Sequence, residues 1–453
     1  MKKSFFIMCL TALFGICVTS TAQESKIEIW GNISQSVKCE KNKKTAYGLY
    51  KIVVKDGNAA FMPLVTGNKH YAGTGGGVIY DERCTYVNGE GSKATLRSFN
   101  TFNWKECGGS GEDVAEQNIV ASAAAYDNAT GKIYACLSSD KGKTHGYGYI
   151  DYDNMRRTPI GYNENHYVSM AVNGDGTLYA IDVKGSLHKI DKRSGEKTII
   201  GSTSVVPQET PQAMAFNEND GKMYWAAAPK NGTSFLCEVN LTNGSIKKIC
   251  NFTDNDVIAF MYIPLQPAGD APARLYDMDV VFEGALNKGD ITFTMPTEYY
   301  NGNKIEGDVE YDIMINDTKA GTFKAKPGEK ITQSVMCDKA GMYEFKVILR
   351  TNGKENVYNH ISKWVGYDEP APIRRLNYFT NVDKIVYLNW KAPIGGKHGG
   401  YVDMKNLVYK IVRNPGGLVV AEDCEDTHFE DDVSSGGNNG FYYEVTPYVK
   451  EKK

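Results

Sequence analysis

Short apolar runs alternate with polar, glycine-rich turns along most of the chain, and in its middle this pattern repeats. Similar five-residue segments that begin with glycine and contain tyrosine occur at 131–135, 176–180 and 221–225, a spacing of 45 residues. A run of small and apolar residues precedes each segment, and a second hairpin pattern follows it. Each repeat therefore predicts four short antiparallel strands, which is typical of repeat architectures of this period.

Units of this size cannot bury their apolar faces alone, but they cover one another when stacked radially in a β-propeller. Residues 49–57 resemble the third strand of a unit and its turn, whereas residues 257–261 resemble a first strand without its hairpin. We therefore expect both ends of the region to share one blade, to which residues 27–30 add a strand. With four blades between residues 69 and 252, the prediction is a propeller of about five blades over residues 23–266, closed by its N- and C-terminal strands.

The repeat is lost after Pro264, Pro267 and Pro272, and two segments with the strand pattern of β-sandwiches follow, at 273–367 and 371–453. The second segment carries a Leu-x-Trp-x-x-Pro motif at 388–393 and a Tyr-x-Ile-x-Arg motif at 409–413. We expect Trp390 to fill the core between two sheets.

These two motifs resemble fibronectin type III modules, and residues 364–370 resemble the joint between tandem modules in secreted bacterial proteins. Residues 30–31 and 75–80 also resemble the start of the propeller half of such proteins. The resemblance implies an all-β protein in which a propeller precedes two fibronectin type III-like modules. It assigns no functional residue, because members of this family are mostly uncharacterised surface or secreted proteins.

The second module departs from the first at its end. In the first module a strand at 343–350 precedes a last strand at 358–365, whereas in the second the strand at 442–448 precedes only residues 449–453. We expect the final strand of this module to be missing, which leaves an open sheet edge. Truncation of a longer reading frame is the favoured explanation, and completion of the edge by a partner is the alternative.

The first 22 residues predict a signal peptide. Lys2 and Lys3 precede an apolar run at 5–18 and small residues at 20–22 that suit cleavage. We expect a secreted or cell-surface protein, with the periplasm as an alternative location. The apolar run is short for a membrane span and no other follows, so no transmembrane segment is expected.

The composition and charge of the chain mainly exclude classes of protein and kinds of site. The chain has 51 Lys and Arg against 54 Asp and Glu, a formal net charge of −3, which argues against a nucleic-acid partner. Hydrophobic residues make up 42%, too many for a disordered chain. The seven histidines show no metal-ligand spacing, and the glycines at 73–77 lack the context of a phosphate loop. We therefore expect neither a metal nor a cofactor.

The cysteine spacing permits one disulfide but does not determine whether it forms. Cys237 and Cys250 flank a hairpin turn. A two-residue turn at Asn243-Gly244 would place them opposite each other and permit a bridge. The repeat favours a four-residue loop, which would shift them out of register and leave buried free thiols.

The candidate binding residues lie in the loops that lead into the first strand of each unit. In a propeller these loops meet on one face around the central channel, and loops of this kind tolerate variation. Aromatic rings beside amides and carboxylates suit a sugar or peptide ligand. The candidates are His70, Tyr71, Gln117, His166, Tyr167, Gln212 and Asp256.

Three functions fit these features. The leading hypothesis is a non-enzymatic binding or adhesion protein, whose propeller head recognises a glycan or an extracellular protein on fibronectin-type spacers. The second is a glycan-active propeller hydrolase or lyase, which needs paired carboxylates. Glu116, Glu164, Glu209 and Asp256 lie in suitable loops, but no pattern assigns them a catalytic role. The third is an architectural component of the cell envelope.

Overall fold

A computed structural model describes residues 26–36, 47–73, 75–80, 82–88, 94–107, 120–139, 144–152, 156–161, 166–252, 254–434 and 440–450. Their regular structure is antiparallel β-sheet, with short 3-10 helices at Lys69–Tyr71 and Met404–Asn406. In this part of the chain, no helix has the length and apolar character needed to cross a membrane.

The strands between residues 27 and 262 form five antiparallel sheets, ordered β19-β1-β2-β3, β4-β5-β6, β7-β8-β9-β10, β11-β12-β13-β14 and β15-β16-β17-β18. The strands are β1 Ile27–Gln35, β2 Tyr47–Lys55, β3 Asn58–Gly67, β4 Gly75–Tyr80, β5 Arg83–Asn88, β6 Thr95–Asn100, β7 Ala121–Asp127, β8 Lys132–Ser139, β9 Thr144–Asp151, β10 Arg156–Gly161, β11 Tyr167–Val172, β12 Leu178–Asp182, β13 Ser186–Ile190, β14 Lys197–Ser202, β15 Met214–Asn217, β16 Lys222–Ala227, β17 Phe235–Val239, β18 Ile246–Asn251 and β19 Val257–Tyr262. The first strands of the sheets contact one another in a closed cycle, β4 to β7, β11, β15, β19 and back to β4. This is the arrangement of a β-propeller.

One sheet joins the two ends of the propeller. Strand β19 pairs with β1, which places Trp30 opposite Tyr262 and Ile33 opposite Ile258. Strand β2 pairs with the other side of β1. Residues 49–54 and 257–261 therefore lie in one sheet, as the repeat predicts.

The repeated segments have a clear structural role. Their glycines, Gly131, Gly176 and Gly221, lie in the turns between first and second strands at φ values of 64°, 82° and 72°. Glycine adopts this left-handed conformation without the steric cost that a Cβ imposes. The tyrosines three positions later, at 134, 179 and 224, are buried in clusters shared by neighbouring sheets. The repeat thus combines a turn with an interblade packing residue.

Two pairs of sheets follow the propeller, β20-β21-β24 with β23-β22-β25-β26, and β27-β28-β31 with β30-β29-β32. Their strands are β20 Asp279–Phe282, β21 Lys288–Thr294, β22 Val309–Ile315, β23 Thr318–Ala325, β24 Lys330–Met336, β25 Gly341–Thr351, β26 Lys354–Val365, β27 Arg374–Thr380, β28 Ile385–Lys391, β29 Leu407–Asn414, β30 Leu418–Cys424, β31 His428–Asp432 and β32 Tyr442–Val449. Each pair encloses one apolar cluster and so forms a sandwich, and Trp390 packs between the sheets of the second, against Tyr409.

The two sandwiches differ at one edge. In the first, β25 lies between β22 and β26. In the second, β32 pairs with β29, and the described residues place no strand on its other side.

Candidate functional site

The five inner strands surround a channel with two unlike ends. We term the end where they begin the entry end, at Gly75, Ala121, Tyr167, Met214 and Val257. We term the end where they finish the open end, at Tyr80, Asp127, Val172, Asn217 and Tyr262.

Neighbouring blades are bonded to each other at the entry end. The Gln212 backbone amide donates a hydrogen bond to the Val168 carbonyl at 2.8 Å, and the Ala213 backbone amide donates one to the Ile258 carbonyl at 2.7 Å. At Gly75, a Cβ would lie 2.9 Å from the carbonyl oxygen of Ala121, so these backbones are also in close approach. The entry end is therefore closed by backbone contacts.

A cavity of about 230 Å³ lies along the axis beyond this closure, toward the open end. Alanine and glycine are the commonest residues of its walls, and Tyr126, Phe216 and Tyr262 line it near the strand ends. The small side chains leave room for the cavity along the axis, and the aromatic rings supply apolar area for a ligand. Both features are typical of small-molecule sites.

A second cavity, of about 690 Å³, lies between the open end and the first sandwich. Ile79, Asn128 and Tyr262 line both cavities, so the axial cavity and this cleft are adjacent. A volume of this size, at a junction between two structural units, is within the usual range for ligand pockets.

Polar contacts hold the first sandwich against the open end. Glu82, in the turn after β4, adopts a φ of 61° and accepts a hydrogen bond from the Ser362 amide at 2.8 Å. The His360 Nδ1 atom lies 2.9 Å from the same carboxylate. Lys105 pairs with Asp279 at 2.6 Å. Each of these contacts joins residues more than 170 positions apart in the sequence. Together they hold the propeller and the first sandwich as the two walls of the cleft.

The polypeptide that leaves β19 is also tied to the open end. The Asn219 side-chain amide donates to the Pro264 carbonyl at 3.0 Å, and its Oδ1 atom accepts from the Gln266 amide at 2.9 Å. Asn219 lies in the turn between β15 and β16, so this turn sets where the connection to the sandwich begins.

Aromatic side chains and one arginine form part of the cleft wall. The Arg274 guanidinium lies 5.3 Å from the centre of the Trp30 ring and 5.8 Å from that of Tyr358. Trp30 Nε1 donates to Glu28 at 3.2 Å, and the Tyr276 hydroxyl donates to the same carboxylate. Burial, followed by the nearby Glu28 charge, raises the pKa of Tyr276 and keeps it a donor. Trp30 is thereby held in one orientation behind Arg274.

Of the expected binding residues, His70 and Tyr71 lie in the 3-10 helix before β4. His70 is exposed. The Arg97 guanidinium lies 4.1 Å from the centre of the Tyr71 ring. The Tyr71 backbone carbonyl accepts hydrogen bonds from the Asn32 side chain and the Tyr86 hydroxyl. Neither lines the axial cavity or the cleft. Gln117 lies outside the described residues.

Tyr167 and Gln212 have structural roles in the entry end. Tyr167 is 1% exposed, and its carbonyl accepts from Ser122 Oγ at 2.7 Å. Gln212 borders the axial cavity, but its side-chain amide is bonded to the backbone of Gln208 and Ala228. Burial encloses the Tyr167 side chain, and hydrogen bonds to the backbone hold that of Gln212.

His166 and Asp256 are also partly or fully enclosed. The His166 ring stacks on His145 with centres 3.9 Å apart. Burial, and then the neighbouring His145, lower the pKa of His166 to about 4, so it is neutral at pH 7. Asp256 is 6% exposed, directly before β19.

Of the carboxylates considered for catalysis, the structure describes Glu209 and Asp256. Glu116 and Glu164 lie outside the described residues. Glu209 is exposed and lies 3.9 Å from Lys230, whereas Asp256 is buried. Within the described ranges, no three His, Cys, Asp or Glu side chains are grouped to hold a metal ion.

Cys237 and Cys250 are buried free thiols rather than a disulfide. A bulge in the β17–β18 hairpin places Cys237 opposite Lys248 and Cys250 opposite Leu236. The longer loop that the repeat favours therefore sets the register. Burial raises the pKa of Cys237 to about 12, which keeps its thiol protonated and unreactive.

No protein-family model and no curated protein matches the chain. Among solved structures, the chain is similar to TolB from Acinetobacter baumannii, at 9% identity over 67% of this chain and 65% of that one, with a TM-score of 0.31. It is similar to a protein of unknown function from Bacteroides thetaiotaomicron, at 15% identity over 59% and 73%, with a TM-score of 0.34. It is also similar to the extracellular domain of a hybrid two-component system from B. thetaiotaomicron, at 11% identity over 76% and 54%, with a TM-score of 0.29. At these values the similarity assigns neither family nor function.

Proposed function

We propose that this chain is an exported, non-enzymatic binding protein whose five-bladed propeller recognises a glycan or an extracellular protein. The axial cavity next to an aromatic-lined cleft is the observation that carries the proposal. The predicted signal peptide at 1–22 supports export. Residues 23–266 form the propeller in this proposal, and 273–367 and 371–453 form two fibronectin type III-like modules. The pairing of a three-stranded with a four-stranded sheet in the first module supports that assignment.

The binding surface in this proposal is the open end rather than the predicted entry loops. Tyr262 is 37% exposed and lines both cavities, so a ligand that spans them must meet its ring. Trp30 packs behind Tyr262, with ring centres 5.7 Å apart, and limits the positions that the ring can take. A restrained, partly exposed ring offers apolar area at little entropic cost.

The test is binding of the full mature chain to a glycan microarray and to immobilised extracellular-matrix proteins. We expect binding by the wild type and at least about tenfold weaker binding by Tyr262→Ala, since an aromatic anchor contributes 1–2 kcal/mol or more. Tyr378→Ala is the matched control, because Tyr378 is 60% exposed on the second sandwich. Undiminished binding by Tyr262→Ala would exclude the open end as the site.

The same experiment separates binding from catalysis. Chromatography of each bound glycan after incubation should show unchanged chain length. Cleavage that is lost on substitution of a pair of carboxylates would favour the hydrolase or lyase hypothesis instead.

A further inference from the structure

Arg274 differs from the other ionisable side chains of the cleft. Glu82 is bonded to Ser362 and lies beside His360. Glu344 pairs with Lys346 at 2.9 Å. Arg274, by contrast, forms no ion pair and no side-chain hydrogen bond with any described residue, although it is half-buried. It is the one cleft charge left without a partner in the part of the chain that the structure describes.

An arginine in this state is suited to an anion. Enclosing a charge without a partner is costly, so such a group is a candidate for interaction with a ligand. The rings of Trp30 and Tyr358 hold the guanidinium by cation–π contact, which leaves its N–H donors free. These donors match the two oxygens of a carboxylate. The rings thus orient Arg274 before any ligand arrives.

The surroundings of Arg274 indicate what carries the carboxylate. The neighbouring walls contain aromatic side chains, with Tyr262 and Tyr80 on the propeller side and Tyr358 on the sandwich side. Ring faces suit the C–H faces of a pyranose, which need apolar area beside a few directed hydrogen bonds. Glu218 lines the axial cavity and would repel a carboxylate there, so a negatively charged group of the ligand is favoured at Arg274 rather than at the axis.

We propose that the cleft binds an acidic saccharide, with a uronate carboxylate on Arg274 and a sugar ring against Tyr262. This inference rests on the proposed function and adds the class of ligand. It assigns Arg274 as the residue that distinguishes an acidic sugar from its neutral counterpart.

The test is calorimetric titration of the full mature chain with oligogalacturonate, hyaluronan and alginate oligomers and with their carboxyl-reduced forms. We expect at least one uronate to bind at least about tenfold more tightly than its reduced form, because a hydrogen bond between charged groups is stronger than one between neutral groups. Arg274→Met, which keeps the apolar stem, should bind both forms equally and weakly. Arg193→Ala, which removes an exposed arginine from a blade turn, should behave as wild type.

The outcomes separate this inference from the proposed function. Equal binding of acidic and neutral oligomers, unchanged in Arg274→Met, would overturn the acidic-saccharide site and leave a glycan-binding protein. Binding of an oligoglutamate peptide and of no saccharide would overturn it in favour of a protein ligand. No binding to any of these probes would also overturn it, and the microarray and protein screen with Tyr262→Ala would then judge the proposed function separately.

Discussion

The entry end and the open end consist of the same five strands, yet one is closed and the other holds a cavity. At the entry end, the backbones of neighbouring blades bond directly, as between Ala213 and Ile258. At the open end, the strands leave about 230 Å³ between small side chains, and the first sandwich covers the mouth. Interblade bonding stabilises the entry end, whereas the open end offers the space and the aromatic rings of the proposed site.

Removal of a core ring at the entry end should have the largest effect. Tyr167→Ala should lower the free energy of unfolding by about 4 kcal/mol, as loss of a buried aromatic ring does in other cores. Tyr262→Ala, at the open end, should lower it by only about 1 kcal/mol. Urea denaturation of both variants measures the contrast. Similar losses of stability in the two variants would contradict the division between the ends.

Loss of the Gln212 amide should have the next largest effect. Gln212→Ala leaves the Ala228 amide and the Gln208 carbonyl without their partner, whereas the Ala228 carbonyl keeps the Gln208 backbone amide, and this should cost about 2 kcal/mol. Gln208→Ala is the control, because its side chain makes one longer hydrogen bond, to the Pro229 carbonyl at 3.3 Å. Ligand affinity of the folded Gln212→Ala protein should be unchanged. A loss of affinity without a loss of stability would return Gln212 to the binding site.

Acidification should weaken the entry end more modestly. His166 has a pKa of about 4 when folded and 6.5 as its ordinary value, so the unfolded chain binds the proton more readily. Stability from this group is complete above pH 6.5, falls as the pH drops toward 4, and changes little below that. Since the ring is partly exposed, the expected loss is about 1–2 kcal/mol.

The difference between wild type and a variant isolates this contribution. Denaturation between pH 7 and 4 should show a flatter pH dependence for His166→Gln. His428→Gln, at an exposed histidine of the second sandwich, should follow the wild type. A His166→Gln protein with an unaltered pH dependence would show that the stacked pair with His145 does not resist protonation.

The strand order was accessible to sequence reasoning, but the location of the cavity was not. Repeated turns at 131, 176 and 221 identify first and second strands, and the unmatched segments at 49–57 and 257–261 predict the shared sheet. Which end of the inner strands closes depends on backbone groups that every residue carries, and composition does not reveal it.

The cleft escaped prediction for a different reason. Trp30 and Tyr262 meet in the sheet that joins the ends of the propeller, and Arg274 and Tyr358 join them only where the sandwich docks. No local motif marks such a set. The sequence likewise did not determine which residue Cys237 faces, because a single bulge in the β17–β18 hairpin sets this register.

The pairing of β19 with β1 has a mechanical consequence. The polypeptide passes from β19 directly to the sandwiches, and Trp30 lies opposite Tyr262 at the point where it leaves. Tension transmitted from the C-terminal side would load the bonds between these two strands, together with the docking contacts around Glu82. Rupture there would open the ring and separate the walls of the cleft, so a pulled molecule would lose the proposed binding site before its other blades unfold.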